Sequence, residues 1–99
     1  KTYHPGQRIK VSWDGAPGNH LDWIGLYRCE RTCDDPGGYL AYRYTHTRIV
    51  GSLGLDADAA PGEGAPPWPL PPGEYVARLL VDDGYQVAAE TPRFRVLSR

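Results

Sequence analysis

The chain has 99 residues, with 11 Lys and Arg against 12 Asp and Glu, and a formal net charge of -1 at pH 7. Its cationic residues are scattered, which excludes the clustered basic face that nucleic-acid binding needs. No apolar run approaches the roughly 20 residues that cross a bilayer, so we predict no membrane span. Ten prolines, twelve glycines and seven tyrosines, with no methionine, favour turns and strands over helices. The length predicts a single domain, residues 1–99, with a modest core.

Alternating apolar and polar residues predict a series of short strands in the first half of the chain. Ile9, Val11 and Trp13 alternate with polar neighbours, as in a half-buried strand. Gly51 and Gly54 interrupt a later segment, which indicates bulges or a close backbone approach there. The strands predicted before residue 56 lie at 2–4, 9–13, 22–28, 39–45 and 48–55.

A proline-rich segment at 56–73 separates these strands from the last ones. Its prolines exclude a central strand, and we expect the segment to cross the domain edge with Trp68 and Leu70 pinning it to the body. Beyond it, Asp82-Asp83-Gly84 is a hairpin-turn signal, and Thr91-Pro92 predicts a break in the following strand. The strands predicted in this half lie at 74–81 and at 85–89, and the second resumes its alternation at Phe94 and Val96 after the break.

About seven short strands with turns between them, and no helical pattern, predict an all-β fold. An antiparallel β-sandwich is the architecture that this arrangement favours. The chain has no Cys…Trp…Cys framework of the antibody type. A fibronectin-III-like or related immunoglobulin-like sandwich is therefore the predicted fold.

The run from Gly18 to Tyr27 joins a Gly/Asn turn to a strand that carries Asp22 and Trp23. A carboxylate in this position usually accepts backbone N–H groups, so we interpret Asp22 as structural rather than catalytic. Trp23, and Trp13 in the preceding strand, are predicted to be structural core residues. The sequence offers no nucleophile beside Asp22 and no Gly-x-Ser-x-Gly elbow, so we predict no catalytic residue.

Cys29 and Cys33 are the two cysteines of the chain. We predict a structural disulfide between them, which implies an oxidising, extracellular setting; two free thiols are the alternative. No further ligand lies near the pair in sequence, so we predict no metal site and no cofactor. The paired acids lack calcium-loop spacing, and we interpret them as solvated turn residues.

Aromatic side chains are the remaining candidates for binding, because the apolar face of a sugar stacks on an exposed ring. We select Trp68, Tyr39 and Tyr85 as candidate ligand-binding residues. Trp68 lies among prolines that fix the backbone; its ring either points outward or packs beneath its own segment. Tyr39 follows two glycines, and its exposure is left open.

Several motifs spread along the chain together resemble a known domain. They are Tyr3-x-Pro5-Gly6, Val11-Ser12-Trp13, Ala16-Pro17-Gly18-Asn19, Asp22-Trp23-Ile24-Gly25-Leu26-Tyr27, Leu70-Pro71-Pro72-Gly73-Glu74-Tyr75 and Asp82-Asp83-Gly84-Tyr85. The set resembles the immunoglobulin-like accessory domain attached to secreted bacterial phosphoesterases. A related Asp-Trp-Ile-Gly-Tyr signature occurs in the non-catalytic N-terminal domain of large plant purple acid phosphatases and, with Phe for Tyr, in SKICH domains of eukaryotic adaptor proteins. This chain departs from the pattern at its cysteine pair and in its long proline-rich segment.

The resemblance implies a domain that accompanies a reaction centre and does not form one. We therefore expect a non-catalytic accessory module of a secreted bacterial hydrolase of phosphoesterase type, acting as a spacer, stabiliser or targeting unit. Its expected partner is the neighbouring catalytic domain of a longer chain, because the sequence opens on Lys1. The alternative is a module that binds carbohydrate or cell-wall polymer through its aromatic side chains, with polysaccharide as partner. A protein-interaction module, as in the eukaryotic relatives, is a third hypothesis.

Overall fold

The protein folds into short strands joined by loops, which confirms the predicted all-β class. The computed structural model describes residues 2–4, 6–29, 32–56, 60–61 and 70–98. Within these residues it contains nine strands, one 3₁₀ turn at Pro36–Gly38 and no α-helix. In chain order the strands are β1 (Thr2–Tyr3), β2 (Ile9–Trp13), β3 (Trp23–Arg28), β4 (Ala41–Tyr44), β5 (Gly51–Leu55), β6 (Ala60–Pro61), β7 (Gly73–Leu80), β8 (Val87–Glu90) and β9 (Phe94–Val96).

The larger of two sheets is built around β3 and β7. Its order is β1-β9-β7-β3-β4-β6, and β8 also pairs with β7. β8 and β9 share β7, because β8 pairs with Arg78–Leu80 and β9 with Gly73–Tyr75. The break between them contains Thr91-Pro92, as predicted, since proline has no N–H to give to the ladder.

One strand pair makes the larger sheet mixed. β1 runs parallel to β9, whereas the other pairs of described strands are antiparallel. The Tyr3 ring packs edge-on against Phe94, with centroids 5.4 Å apart, and the Leu97 N–H donates to the Tyr3 carbonyl at 2.9 Å. These contacts fix β1 beside β9, so the prediction of a purely antiparallel sandwich is corrected at this edge.

The second sheet consists of β2 and β5, and the main core lies between the two sheets. In β2, Ile9 and Val11 are buried and Lys10 and Ser12 are exposed, as the alternation predicts. Two packed sheets around one core are compatible with a β-sandwich. Among the buried residues of this core are Ile9, Val11, Leu55, Ile24, Leu26, Ala77 and Leu79.

Most predicted strands begin and end within two residues of the observed ones, and two predicted segments differ more. The strand predicted at 48–55 begins only at Gly51, because a turn with positive φ at His46 and Thr47 precedes it and the Ile49 carbonyl accepts the Ala16 N–H at 3.0 Å. Strand β6 was not predicted, yet it lies at a sheet edge beside β4, where the proline-rich segment was expected to run. Of the two residues expected to pin that segment, Leu70 is buried in the main core, and Trp68 lies outside the described residues.

The face of the larger sheet turned away from β2 and β5, which we call the outer face, carries a second apolar cluster. Trp23, Tyr27, Cys29, Val76 and Leu80 form its buried part. Residues 33–39 cover part of this face, because the Tyr27 hydroxyl donates to the Pro36 carbonyl at 2.7 Å. None of the described segments forms a helix of the length and hydrophobicity needed to cross a membrane.

Candidate functional site

An open pocket of about 150 Å³ lies on the outer face. Five aromatic rings and one carboxylate line it, and we call it the aromatic pocket. Its lining residues are Trp23, Tyr39, Tyr42, Tyr44, Asp83 and Tyr85. They come from two strands, one turn and one loop that are distant in sequence.

The register of β3 and β4 brings three of the rings to one face. Trp23 pairs with Tyr44, and Gly25 pairs with Tyr42, in the antiparallel ladder. Directly opposed residues share a face of the sheet, so both tyrosines stand beside Trp23. Tyr39 reaches the same place from the loop before β4, and its ring centroid lies 5.0 Å from that of Trp23.

Gly25 makes room for the two large rings that flank it in β3. A Cβ atom at Gly25 would lie 2.8 Å from Cζ3 of Trp23 and 2.9 Å from Cε1 of Tyr27. These distances are too short for real carbon contacts, so any side chain here would displace the rings. The glycine of the Asp-Trp-Ile-Gly motif thus sets where Trp23 sits in the pocket.

The rings meet edge to face throughout the pocket. Trp23 lies at 71° to Tyr39, 77° to Tyr42 and 78° to Tyr85. Tyr42 is nearly perpendicular to both Tyr39 and Tyr44. Edge-to-face packing is a favourable arrangement for aromatic pairs, and it turns successive ring faces in different directions around the opening.

The turn after β7 supplies Asp83 and Tyr85. Asp82 and Asp83 have φ of 54° and 59°, and the Gly84 N–H donates to the Val81 carbonyl at 3.0 Å. Two central residues with positive φ are typical of a type I′ turn, and Asp tolerates this conformation better than most residues. The Trp23 indole N–H donates to the Gly84 carbonyl at 3.0 Å, which fastens the turn to β3.

Asp22 ties this turn to the loop before β3. Its carboxylate is fully buried and accepts the Asn19 N–H at 3.0 Å and the Asp82 N–H at 2.9 Å. Its own carbonyl accepts the Thr45 N–H at 2.9 Å, beyond the end of β4. Asp22 therefore joins three segments that surround the aromatic pocket, without lining the pocket itself.

A hydrogen bond between Tyr44 and Asp83 closes one side of the pocket. The Tyr44 hydroxyl donates to Oδ1 of Asp83 at 2.9 Å. This bond raises the pKa of Tyr44 above its ordinary value, and partial burial and the charge of Asp83 act in the same direction. The hydroxyl accordingly keeps its proton and continues to donate to Asp83 at neutral pH.

Tyr27 and Arg78 hold the loop that carries Tyr39 against the larger sheet. The Arg78 guanidinium lies 4.5 Å from the centroid of the Tyr27 ring, donates to the Asp34 carbonyl at 2.6 Å and pairs with Glu90 at 2.7 Å. Burial raises the pKa of the Tyr27 hydroxyl far above its ordinary value, and the nearby Arg78 charge offsets part of that rise. The Cys29–Cys33 disulfide, present as predicted, closes the start of the same loop.

The structure brings together two of the three binding candidates from the sequence. Tyr39 and Tyr85 both line the aromatic pocket, and Tyr85 is the more open, with 57 % of its surface exposed. Trp68 lies outside the described residues. Trp23 is 4 % exposed and belongs to the outer-face cluster, whereas Trp13 packs beside the main core and donates its indole N–H to the Arg48 carbonyl at 2.9 Å.

Three pocket residues were not selected from the sequence. Tyr42 and Tyr44 are two apart in one strand, which predicts a shared face, but their position beside Trp23 depends on the register of β4 against β3. Asp83 lies in a predicted turn, where Asp is common, so the sequence alone gives no reason to assign it to a binding site. Among the described residues, no group of three or more His, Cys, Asp and Glu side chains is placed to hold a metal ion.

Comparison of the chain with protein-family models, with curated proteins and with solved structures found no match. The fold and site define an all-β domain with an aromatic pocket on its outer face. Function is therefore inferred from the pocket and from the motifs of the chain.

Proposed function

We propose that this chain is a non-catalytic accessory module of a secreted bacterial hydrolase of phosphoesterase type, with an immunoglobulin-like or fibronectin-III-like sandwich fold. Within that role, we propose that it acts as a targeting unit and binds its target through the aromatic pocket. The motif set from Tyr3-x-Pro5-Gly6 to Asp82-Asp83-Gly84-Tyr85 supports the accessory role by resemblance. The neighbouring catalytic domain would then supply the chemistry.

The aromatic pocket is the observation that carries the targeting role. A spacer or stabiliser needs no opening lined by five rings, and a soluble domain tends to cover or avoid such a surface. The rings also rest on a rigid support, because Trp23, Tyr42 and Tyr44 belong to strands of the larger sheet. Binding sites commonly combine an apolar, concave surface with a few placed polar groups, and Asp83 supplies such a group here.

A second candidate function is binding of carbohydrate or cell-wall polymer. The exposed ring of Tyr85, next to the carboxylate of Asp83, favours this function. Sugars stack on aromatic faces, and their hydroxyl groups donate hydrogen bonds to carboxylates. Tyr39 lies across the same opening. Trp68, the third residue proposed for this function, is outside the described part of the chain.

Affinity electrophoresis through gels that contain soluble polysaccharides, together with a glycan array, tests both functions. Three proteins are compared: the wild type, Tyr85→Ala in the pocket, and Val50→Ala as a control at an exposed apolar residue outside it. Retention that Tyr85→Ala abolishes and Val50→Ala preserves supports binding at the pocket. Retention that survives Tyr85→Ala places the binding elsewhere and overturns the targeting role of the pocket.

A further inference from the structure

The lining of the aromatic pocket is acidic and rich in π electrons. Asp83 contributes a carboxylate, and the faces of the five rings carry partial negative charge. Within the described part of the chain, no Lys, Arg or His side chain lines the pocket. An anionic ligand would meet repulsion there, whereas a cation would meet attraction on several sides.

Two of the five side-chain hydrogen-bond donors that line the pocket are already used by the protein. The Trp23 indole N–H donates to the Gly84 carbonyl, and the Tyr44 hydroxyl donates to Asp83. The raised pKa of Tyr44 keeps that second donor in place. A sugar ring needs both donors and acceptors from its site, whereas an alkylated cation needs neither and is attracted by charge and by ring faces.

The directions of the rings also separate a cation from a sugar. A sugar stacks on one flat, exposed ring or on coplanar rings. Here the five ring pairs in contact stand at 71° to 86°, so these rings form no coplanar platform, and a group in the opening that they line is bordered by several rings. Enclosure by several ring faces is the arrangement that recognises quaternary ammonium groups.

We propose that the aromatic pocket binds the head group of a small organic cation, such as a quaternary ammonium or an alkylated amine, with Asp83 as the counter-charge. The proposal rests on the proposed function of the pocket as a targeting site and names the chemistry of its ligand. A volume of about 150 Å³ is below the roughly 300–1,000 Å³ of sites that enclose drug-sized ligands. The pocket therefore holds the head group alone, and the rest of the target remains in solvent.

Nuclear magnetic resonance titration with choline tests the proposal. The matched neutral probe is the carbon isostere of choline, in which a tert-butyl group replaces the trimethylammonium group, and glucose and N-acetylglucosamine serve as sugar probes. The indole N–H signal of Trp23 reports on the pocket, and that of Trp13, which lies at the end of β2, is the internal control. We expect choline to shift the Trp23 signal and leave the Trp13 signal in place, with the isostere and the sugars binding at least about tenfold more weakly.

Two neighbouring aspartates provide a matched pair of variants. Asp83→Asn removes the charge that lines the pocket, and Asp82→Asn removes the same charge from the adjacent position, which does not line it. Both residues have positive φ, a conformation that Asn also tolerates, so both variants should fold. We expect Asp83→Asn to weaken choline binding about five- to tenfold and Asp82→Asn to change it less than about twofold.

The outcomes separate this proposal from the proposed function. If the isostere or a sugar shifts the Trp23 signal at the same concentrations as choline, the pocket is a binding site, but its ligand is not selected by charge, and the cation proposal is overturned. If no probe shifts that signal, the cation proposal is also overturned. The targeting role is then decided by the retention of wild type and Tyr85→Ala on polysaccharides.

Discussion

The buried carboxylate of Asp22 accepts the backbone N–H of Asp82, which lies 60 residues later in the chain, at 2.9 Å. The two residues come from the loop before β3 and the turn after β7, and the turn also supplies Asp83 and Tyr85 to the aromatic pocket. The Asp22 side chain of the Asp-Trp-Ile-Gly motif, together with the Trp23 indole N–H, therefore holds one wall of the pocket in place.

Asp22→Ala should destabilise the domain and disturb the pocket together. It removes the acceptor of two backbone N–H groups, those of Asn19 and Asp82. We expect a loss of about 1–3 kcal/mol in the free energy of unfolding, measured by urea denaturation. Asp35→Ala, at an exposed position, is the control and should lie within about 0.5 kcal/mol of the wild type. An Asp22→Ala protein as stable as its control would show that the two N–H groups have other acceptors.

Gly25→Ala should be costly although it adds a single methyl group. The new Cβ atom would overlap the rings of Trp23 and Tyr27, both of which are buried. Overpacking of this kind costs about 1–3 kcal/mol, which thermal unfolding would reveal as a lowered Tm. Gly37→Ala is the matched control, since its Cβ would meet nothing within 4 Å. Equal Tm values for the two variants would contradict the assigned role of Gly25.

The domain should lose stability in alkaline solution because of Tyr27. Burial raises the pKa of its hydroxyl in the folded state above the ordinary value of 10.0, so the unfolded chain releases this proton first. The contribution of the protonated Tyr27 hydroxyl to the free energy of unfolding is therefore fully present below about pH 10. It is lost as the pH rises from there towards the raised pKa of the folded state.

Urea denaturation across the alkaline range measures this effect. Tyr27→Phe should be less stable at neutral pH, because the hydrogen bond to Pro36 is lost, and its free energy of unfolding should fall less steeply above pH 10 than that of the wild type. Parallel curves for the two proteins would mean that Tyr27 does not titrate differently in the folded and unfolded chains.

The Cys29–Cys33 disulfide should make a small contribution to stability. It closes a very short ring, for which the chain-entropy model gives about 2 kcal/mol. Mass spectrometry of the non-reduced protein should show a mass two hydrogens lower than that of the reduced chain. The double variant Cys29→Ser/Cys33→Ser should unfold at lower urea concentration than the wild type. Two thiols that react freely with an alkylating agent in the oxidised preparation would contradict the bond.

The strands were predictable because their side chains alternate with a period of two. Tyr42 and Tyr44 share one face, and Ile9 and Val11 share another, for this reason. The sequence of strand β3 does not indicate which of its residues face the main core, because residues on both of its faces are buried. No alternation in Trp23-Ile24-Gly25-Leu26-Tyr27 distinguishes the face that meets β2 and β5 from the outer face.

The aromatic pocket could be predicted only in part. Tyr39 and Tyr85 are exposed-ring candidates from local sequence alone, but their approach to Trp23 depends on the register of β3 with β4 and β7. The position of Asp83 in the pocket depends on the hydrogen bond that the Asp82 N–H donates to Asp22, 60 residues earlier in the chain. Such distant contacts leave no periodic signal in a single sequence.

The binding of the target at the outer face can be tested by chemical-shift mapping with a polysaccharide fragment or cation that the wild-type domain retains. We expect the indole N–H signal of Trp23 and the ring signals of Tyr39 and Tyr85 to move on binding, while the indole signal of Trp13 stays in place. Tyr85→Ala should abolish binding and retain a Tm close to that of the wild type, because 57 % of Tyr85 is exposed. Shifts centred on Trp13 and strand β2, with the Trp23 signal unmoved, would place the binding site away from the outer face.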